Sequence, residues 1–219
     1  MWRGCLFQRQ PRGDHYDYLP VGDDLLSIAI GECSGQGLAP AMMMASLRAY
    51  LRVLASNSMD LSDIVSKANS YITEDIGDEE FLVTLMLMQI DQITRSLSFC
   101  SAGHQAHLLR RNGDVEVLHS TGMPMGLQHE TVILESDKYR LRIGDAVLLT
   151  TDGVQKVTSP SGERFGTDRM LELVKEHHDL PARMVVDYLK KACGEFAGSV
   201  AQSDDITIVL VKCDESTRL

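Results

Sequence analysis

The stretch that decides the fold class is FLVTLMLMQIDQITRSLSFCSAGHQAHLLRRNGDVEVL (residues 81–118). It holds four short apolar runs that are separated by polar or glycine-containing turns. Apolar runs between turn signals are typical of β-strands, and Asn112-Gly113 gives the clearest hairpin signal. Two similar runs follow, TVIL from Thr131 and AVLLTT from Ala146. Strands that follow one another without helices between them predict antiparallel pairing, because parallel β-α-β units need a helix between nearly all strands.

Helical patterns flank this block of strands on both sides. Apolar residues recur at helical spacing in residues 38–54, 60–72, 167–177 and 181–196. The run LLSIAI (residues 25–30) predicts a buried strand that ends at Gly31 and delivers Glu32 to a loop, and ITIVLV from Ile206 predicts a last strand. The sequence therefore predicts an α+β fold in which antiparallel sheets are covered by helices.

The composition excludes several classes of protein. The chain has 219 residues, which is enough for one domain with a sizeable core. Its 31 acidic and 21 basic residues give a net charge of -10, which disfavours nucleic acids and anionic membranes as partners. Five cysteines without a C-x-x-C pair indicate reduced thiols in the cytoplasm rather than disulfides or a zinc site. The sequence shows neither a signal-peptide pattern nor an apolar run of transmembrane length.

Acidic residues stand beside glycine or a second acid at four predicted strand ends. These are Gly13-Asp14, Gly31-Glu32, Asp152-Gly153 and Asp204-Asp205. Clustered carboxylates repel one another unless a hard cation neutralises them, and oxygen ligands are those that Mg²⁺ and Mn²⁺ prefer. Each pair alone is also ordinary turn chemistry, and we interpret Gly144-Asp145 as such a turn.

Seven motifs share the order and spacing of a known family. They are GDHYDY (residues 13–18), IGECSGQG (30–37), FLVTL (81–85), AGH (102–104), GMPMG (122–126), GDAVLLTTDGV (144–154) and DDITIV (204–209). Together they resemble the sporulation stage II E and RsbU-like branch of the PPM-type (protein phosphatase type 2C-like) metal-dependent serine/threonine phosphatases. The resemblance covers residues 13–212, and the ordered set is far more specific than any single motif.

The resemblance implies a four-layer α-β-β-α sandwich with two central antiparallel sheets and a centre of two Mn²⁺ or Mg²⁺ ions. Carried over motif by motif, the expected metal ligands are Asp14, Glu32, the Cys33 backbone carbonyl, Asp152 and Asp204, with Asp205 as a weaker candidate. The four carboxylates of Asp14, Glu32, Asp152 and Asp204 are also the expected catalytic groups. They would act through a metal-activated water, so that no protein nucleophile is needed.

The function that the resemblance implies is hydrolysis of phosphoserine or phosphothreonine on a partner protein. In this branch the partner is typically an anti-sigma-factor antagonist in bacterial partner-switching signalling. We expect a cytoplasmic protein without nucleic-acid or membrane partners, and a homodimer is compatible with the family. Residues 1–12 are expected to be a lead-in, 13–212 the phosphatase domain and 213–219 a tail, in a chain that is either a stand-alone domain or a fragment.

The chain departs from the family pattern at Glu32, where the family has aspartate. The extra methylene moves the carboxylate outward, and Mg²⁺ tolerates distorted geometry poorly. The alternative function is therefore a catalytically weak pseudophosphatase that acts as a regulatory binding module; a small-molecule phosphoesterase is a third, which the ordered motifs disfavour. Arg12 is a candidate phosphate-binding residue, whereas we interpret His15 and His104 as structural.

Overall fold

The computed structural model describes residues 13–20, 24–35, 37–57, 60–77 and 81–214 of the chain. These residues fall into two compact units. The first unit lies within residues 12–105 and 119–141, and the second within residues 106–118 and 142–219. Each unit has its own antiparallel sheet and its own helices.

The elements, in chain order, are β1 (Asp14–Pro20), β2 (Leu25–Cys33), α1 (Leu38–Asn57), α2 (Leu61–Ile76), β3 (Val83–Asp91), β4 (Ser96–Ala102), β5 (Ala106–Leu109), β6 (Val115–Leu118), β7 (Tyr139–Arg140), β8 (Ala146–Thr150), α3 (Gly153–Lys156), α4 (Gly166–Glu176), α5 (Ala182–Ala197) and β9 (Ile208–Lys212).

The first unit is a five-stranded antiparallel sheet in the order β1-β2-β3-β4-β7, with α1 and α2 packed on one face. Leu47 of α1 and Ile64 of α2 share a core cluster with Leu85 and Leu87 of β3. Side chains of a strand alternate between faces, and Met86, on the face opposite to Leu85 and Leu87, is buried as well. Burial of both faces explains why β2 and β3 read as nearly continuous apolar runs.

β1 is held to α1 by an ion cluster around Asp17. The Asp17 carboxylate accepts two hydrogen bonds from the Arg52 guanidinium, at 2.6 and 2.7 Å, and forms an ion pair with Arg48 at 3.2 Å. Burial alone would raise the pKa of Asp17, but its hydrogen bonds and charge contacts with the two arginines outweigh burial and lower it. Asp17 therefore stays ionised and fixes the strand that carries Asp14.

The second unit is a four-stranded antiparallel sheet in the order β6-β5-β8-β9, with α4 and α5 packed against it. Leu148 and Leu210 of the sheet share a core cluster with Met170 of α4 and Leu189 of α5. Asp145 begins the turn into β8. Its buried carboxylate accepts hydrogen bonds from the Arg110 side chain at 2.9 Å and from two backbone amides, which confirms that Gly144-Asp145 is a structural turn.

The four predicted helices are confirmed within a few residues, and so is the Asn112-Gly113 hairpin between β5 and β6. Two strand predictions were wrong. β2 continues through Cys33, so Glu32 lies inside a strand and not in a loop. TVIL (residues 131–134) forms no strand, because side chains of α2 bond its backbone: Ser66 accepts from the Ile133 amide at 2.9 Å and Ser62 donates to its carbonyl at 2.7 Å. Among the described residues, no helix is long and apolar enough to cross a membrane.

Candidate metal centre

Asp14 and Glu32 face each other across the first two strands of the first unit. Asp14 of β1 pairs directly with Glu32 of β2 in the antiparallel register. Directly opposite residues point to the same face, with their Cβ atoms about 4.5–5.5 Å apart. Like charges at this separation destabilise a strand pair. A cation bound between the two carboxylates would offset this repulsion.

Gly13 lets the backbone carbonyl of Cys33 approach β1 closely. The Cys33 amide donates to the Gly13 carbonyl at 2.8 Å, and a Cβ atom built on Gly13 would lie 2.7 Å from the Cys33 carbonyl oxygen. Any side chain at position 13 would displace this oxygen, which the sequence predicts to be a metal ligand. Burial raises the pKa of the Cys33 thiol to about 11, so at neutral pH the thiol stays protonated and is no nucleophile.

A row of polar residues extends from this pair into β3. Thr84 of β3 lies opposite Glu32, and its hydroxyl contacts Nδ1 of His104 at 3.0 Å. The Ser101 hydroxyl in turn donates to the His104 carbonyl at 2.6 Å. His15 is buried on β1, and burial lowers its pKa to about 4, so it is neutral at pH 7. The imidazoles of His15 and His104 are thus both buried in the first unit.

Asp152 and Asp204 share a lysine in the second unit. Asp152 follows β8 and immediately precedes the single helical turn α3, whereas Asp204 lies in the loop before β9. The Lys156 ammonium forms ion pairs with Oδ2 of both carboxylates, at 3.3 Å from Asp204 and closer still to Asp152. Burial lowers the pKa of Lys156, but hydrogen bonds and charge contacts with the two acids outweigh burial and raise it. These two acids therefore already share a cation.

The Asp152-Gly153 turn lies close to the loop that carries Asp204 and Asp205, and Gly153 is the point of closest approach. A Cβ atom built on Gly153 would lie 1.7 Å from the Asp205 carbonyl oxygen, so only glycine allows this distance. The neighbouring backbone is fastened by Thr151, whose amide donates to the Thr207 carbonyl at 3.1 Å. Asp205 is buried, at 3% exposure, whereas the Asp204 side chain is 43% exposed. Of the two acids, Asp204 is the one that shares Lys156 with Asp152.

A cavity of about 720 Å³ adjoins Asp204 within the second unit. Its lining includes Gly153, Val157, Cys193 of α5, Val200 and Asp204 itself. The cavity leaves room beside Asp204 for a group of a bound molecule.

The structure brings the predicted ligands together in two pairs, Asp14 with Glu32 in the first unit and Asp152 with Asp204 in the second. In the described parts of the chain, no group of three or more His, Cys, Asp or Glu side chains is gathered as a metal site. Arg12, the candidate phosphate-binding residue, lies outside the described residues.

Sequence reasoning missed Lys156. The signal that could have revealed it is its spacing of four residues from Asp152, which places the two side chains on one face of a helical turn. The residues of both pairs fit a hard divalent cation, because every candidate donor is a carboxylate or carbonyl oxygen. The second pair already holds a positively charged group.

The family model of stage II sporulation protein E (SpoIIE) matches residues 22–214 of the chain. The chain is 29% identical to protein IcfG of Synechocystis sp. in an alignment 230 positions long, and the match covers 93% of the chain and 36% of IcfG. It is 20% identical to phosphoserine phosphatase RsbU of Bacillus subtilis over 206 residues, which cover 93% of the chain and 60% of RsbU. The chain thus spans less than two thirds of each of these relatives.

The chain is also similar to a solved structure, the SiaA-PP2C domain of Pseudomonas aeruginosa. The TM-score is 0.85 at 21% sequence identity, and the match covers 96% of this chain and 86% of that domain. A likeness of this extent confirms the predicted fold class, an α+β fold with two antiparallel sheets and covering helices.

Proposed function

The chain belongs to the stage II sporulation protein E (SpoIIE) family, and from this membership we propose that it is a metal-dependent protein serine/threonine phosphatase. The observation that carries the proposal is the pairing of the family's acidic positions. Asp14 lies opposite Glu32, and Asp152 shares a lysine ammonium with Asp204. The first pair concentrates negative charge that a hard cation would relieve, and the second pair already binds a positively charged group.

The proposed metal ligands are Asp14, Glu32, the Cys33 carbonyl, Asp152 and Asp204, with Asp205 as a weaker candidate. When bound, two Mn²⁺ or Mg²⁺ ions would supply a water of lowered pKa and offset the charge that develops on the phosphoryl oxygens. The chain's own residues hold the ligand oxygens in place: Gly13 admits the Cys33 carbonyl, and Gly153 admits the loop of Asp204. The reaction needs no protein nucleophile, in keeping with the protonated Cys33 thiol.

The proposed substrate is phosphoserine or phosphothreonine on a partner protein, and we infer an anti-sigma-factor antagonist in bacterial partner-switching signalling. Support comes from the motif resemblance and from the likeness to RsbU, which is named a phosphoserine phosphatase. The net charge of -10 disfavours nucleic-acid and anionic-membrane partners. A cytoplasmic location and a homodimer remain expectations, as does the assignment of residues 13–212 to one phosphatase domain.

The alternative function is a pseudophosphatase that binds its partner but turns over slowly. Two observations favour it. Glu32 is one methylene longer than the family's aspartate, and Lys156 already forms ion pairs with two proposed ligands. Both features would weaken metal binding without disturbing the fold.

We would test the proposal by measuring hydrolysis of para-nitrophenyl phosphate and of a phosphoserine protein with Mn²⁺, Mg²⁺ or excess chelator. We expect metal-dependent turnover that Asp152→Asn abolishes, because this change removes the charge of a ligand at constant volume. Asp187→Asn, at an exposed position of α5, is the matched control and should behave as wild type. Wild-type turnover in Asp152→Asn would refute the site, and metal binding without turnover on either substrate would favour the pseudophosphatase.

A further inference from the structure

Lys156 occupies the position between two proposed metal ligands that come from different parts of the second unit. Its ammonium pairs with Asp152, four residues earlier, and with Asp204, 48 residues later in the chain. We propose that Lys156 is a resident counter-cation that competes with the divalent metal for these two carboxylates and so sets the metal affinity of the chain. The inference rests on the proposed metal site and concerns its regulation.

Both oxygens of the Asp204 carboxylate are engaged. Oδ1 accepts a hydrogen bond from the Asp205 amide at 3.0 Å, and Oδ2 contacts the Lys156 ammonium at 3.3 Å. Oδ2 of Asp152 contacts the same ammonium. A cation that coordinates the Oδ2 atoms of both acids must therefore displace Lys156, since two positive groups cannot share these oxygens without strong repulsion.

Lys156 is able to leave this position. Its side chain is 44% exposed, and it is the last residue of the short turn α3. Lysine carries a compact, strongly hydrated charge on a flexible stem, so the ammonium can move into water when a metal binds. Half-exposed ion pairs hold such a group weakly. The two acids are thus neutralised by a group that a stronger cation can replace.

A purely structural role for Lys156 makes the opposite prediction. If Lys156 only fastened α3 to the loop of Asp204, its removal would let the two carboxylates separate and would weaken metal binding. If Lys156 competes with the metal, its removal frees the Oδ2 atoms and tightens metal binding. The direction of the change in metal affinity therefore decides between the two roles, and it can be measured without any turnover.

The test is isothermal titration of the chelator-treated full chain with MnCl₂. We expect Lys156→Gln to bind Mn²⁺ about tenfold more tightly than wild type, which corresponds to about 1.4 kcal/mol. Lys156→Arg keeps the positive charge and should retain the wild-type affinity within a few-fold. Lys191→Gln is the matched control, because it removes the same charge from an ion pair with Glu195 elsewhere in the second unit. It should leave the affinity unchanged.

Each outcome bears on the inference. Unchanged or weaker Mn²⁺ binding by Lys156→Gln, with weakened binding by Asp152→Asn, would overturn the competition and leave the proposed phosphatase intact. Absence of binding in both wild type and Lys156→Gln would overturn the inference together with the metal site. If Lys156→Gln bound Mn²⁺ and the wild type did not, the result would support the competition in its strongest form. The function of the natural chain would then shift to the pseudophosphatase.

Discussion

At the scale of single residues, the first pair of proposed ligands is two carboxylates in directly opposite strand positions. Asp14 and Glu32 lie opposite each other on one sheet face, a position at which like charges cost stability. Glutamate at position 32 keeps the charge but places it one carbon–carbon bond farther from the backbone of β2. Because Glu32 lies within a strand and not in a loop, the backbone has little freedom to compensate for this extra length.

The length of residue 32 leads to a first prediction. Glu32→Asp should tighten Mg²⁺ binding several-fold, since Mg²⁺ demands near-ideal octahedral geometry and the backbone of β2 fixes the origin of the side chain. Titration calorimetry with MgCl₂ and with MnCl₂ measures the effect, and the gain should be smaller for Mn²⁺, which is the more tolerant ion. Unchanged affinity for both metals would mean that the surrounding residues have adjusted to glutamate.

At the scale of elements, the sequence predicted the helices and strands that have a clear periodic pattern or a long apolar run. The long helices and the strands buried on both faces were found, because their patterns extend over many residues. β1 was found only as a motif, because the side chains that it buries include the polar His15 and Asp17. α3 was not predicted, because a single helical turn is too short to show a periodic pattern. TVIL was misread because Ser62 and Ser66 of α2 supply the hydrogen bonds that a neighbouring strand would give.

In the candidate site, too, local sequence patterns predict some features, whereas others depend on contacts between distant parts of the chain. The ordered motifs predict the acidic ligands, but the pairing of Asp14 with Glu32 depends on strand register, which no motif specifies. Lys156 depends on how α3 meets the loop of Asp204, a tertiary contact between residues 48 positions apart. Local sequence could suggest the pair of Lys156 with Asp152, but not the pair with Asp204.

The approach of α3 to the loop before β9 leads to a prediction about Gly153. Gly153→Ala would place a methyl group 1.7 Å from the Asp205 carbonyl oxygen, so the turn and the loop must separate. We expect a loss of about 1–3 kcal/mol in the free energy of unfolding, as for other overpacked sites. Mn²⁺ binding should weaken as well, because Asp152 and Asp204 move apart. Urea unfolding and metal titration of the purified variant measure the two effects.

Gly194→Ala is the matched control for this substitution. Gly194 lies in α5 at an exposed position, and a Cβ atom built on it meets nothing within 4 Å. Alanine there should stabilise the chain by about 0.5–1 kcal/mol, because glycine is the poorer residue in a helix. Equal stability of the two variants would show that the close approach at Gly153 is not needed.

At the scale of the whole molecule, metal binding and folding stability are linked. The chain carries a net charge of -10, and each of its two units carries one pair of proposed acidic ligands. A ligand that binds only the folded chain stabilises it in proportion to the logarithm of its concentration over its dissociation constant. Cations that offset the repulsion between paired acids should therefore raise the stability of the fold.

Manganese should accordingly raise the temperature of thermal unfolding. At a concentration about 100-fold above the dissociation constant, one bound ion adds about 2.7 kcal/mol, which for a chain of this size corresponds to a shift of roughly 5–10 °C. The shift should disappear with excess chelator and shrink in Asp152→Asn, while Asp187→Asn keeps it. An equal shift in Asp152→Asn would mean that Mn²⁺ binds away from Asp152, and the proposed ligand set would have to be abandoned even if the chain hydrolysed phosphate esters.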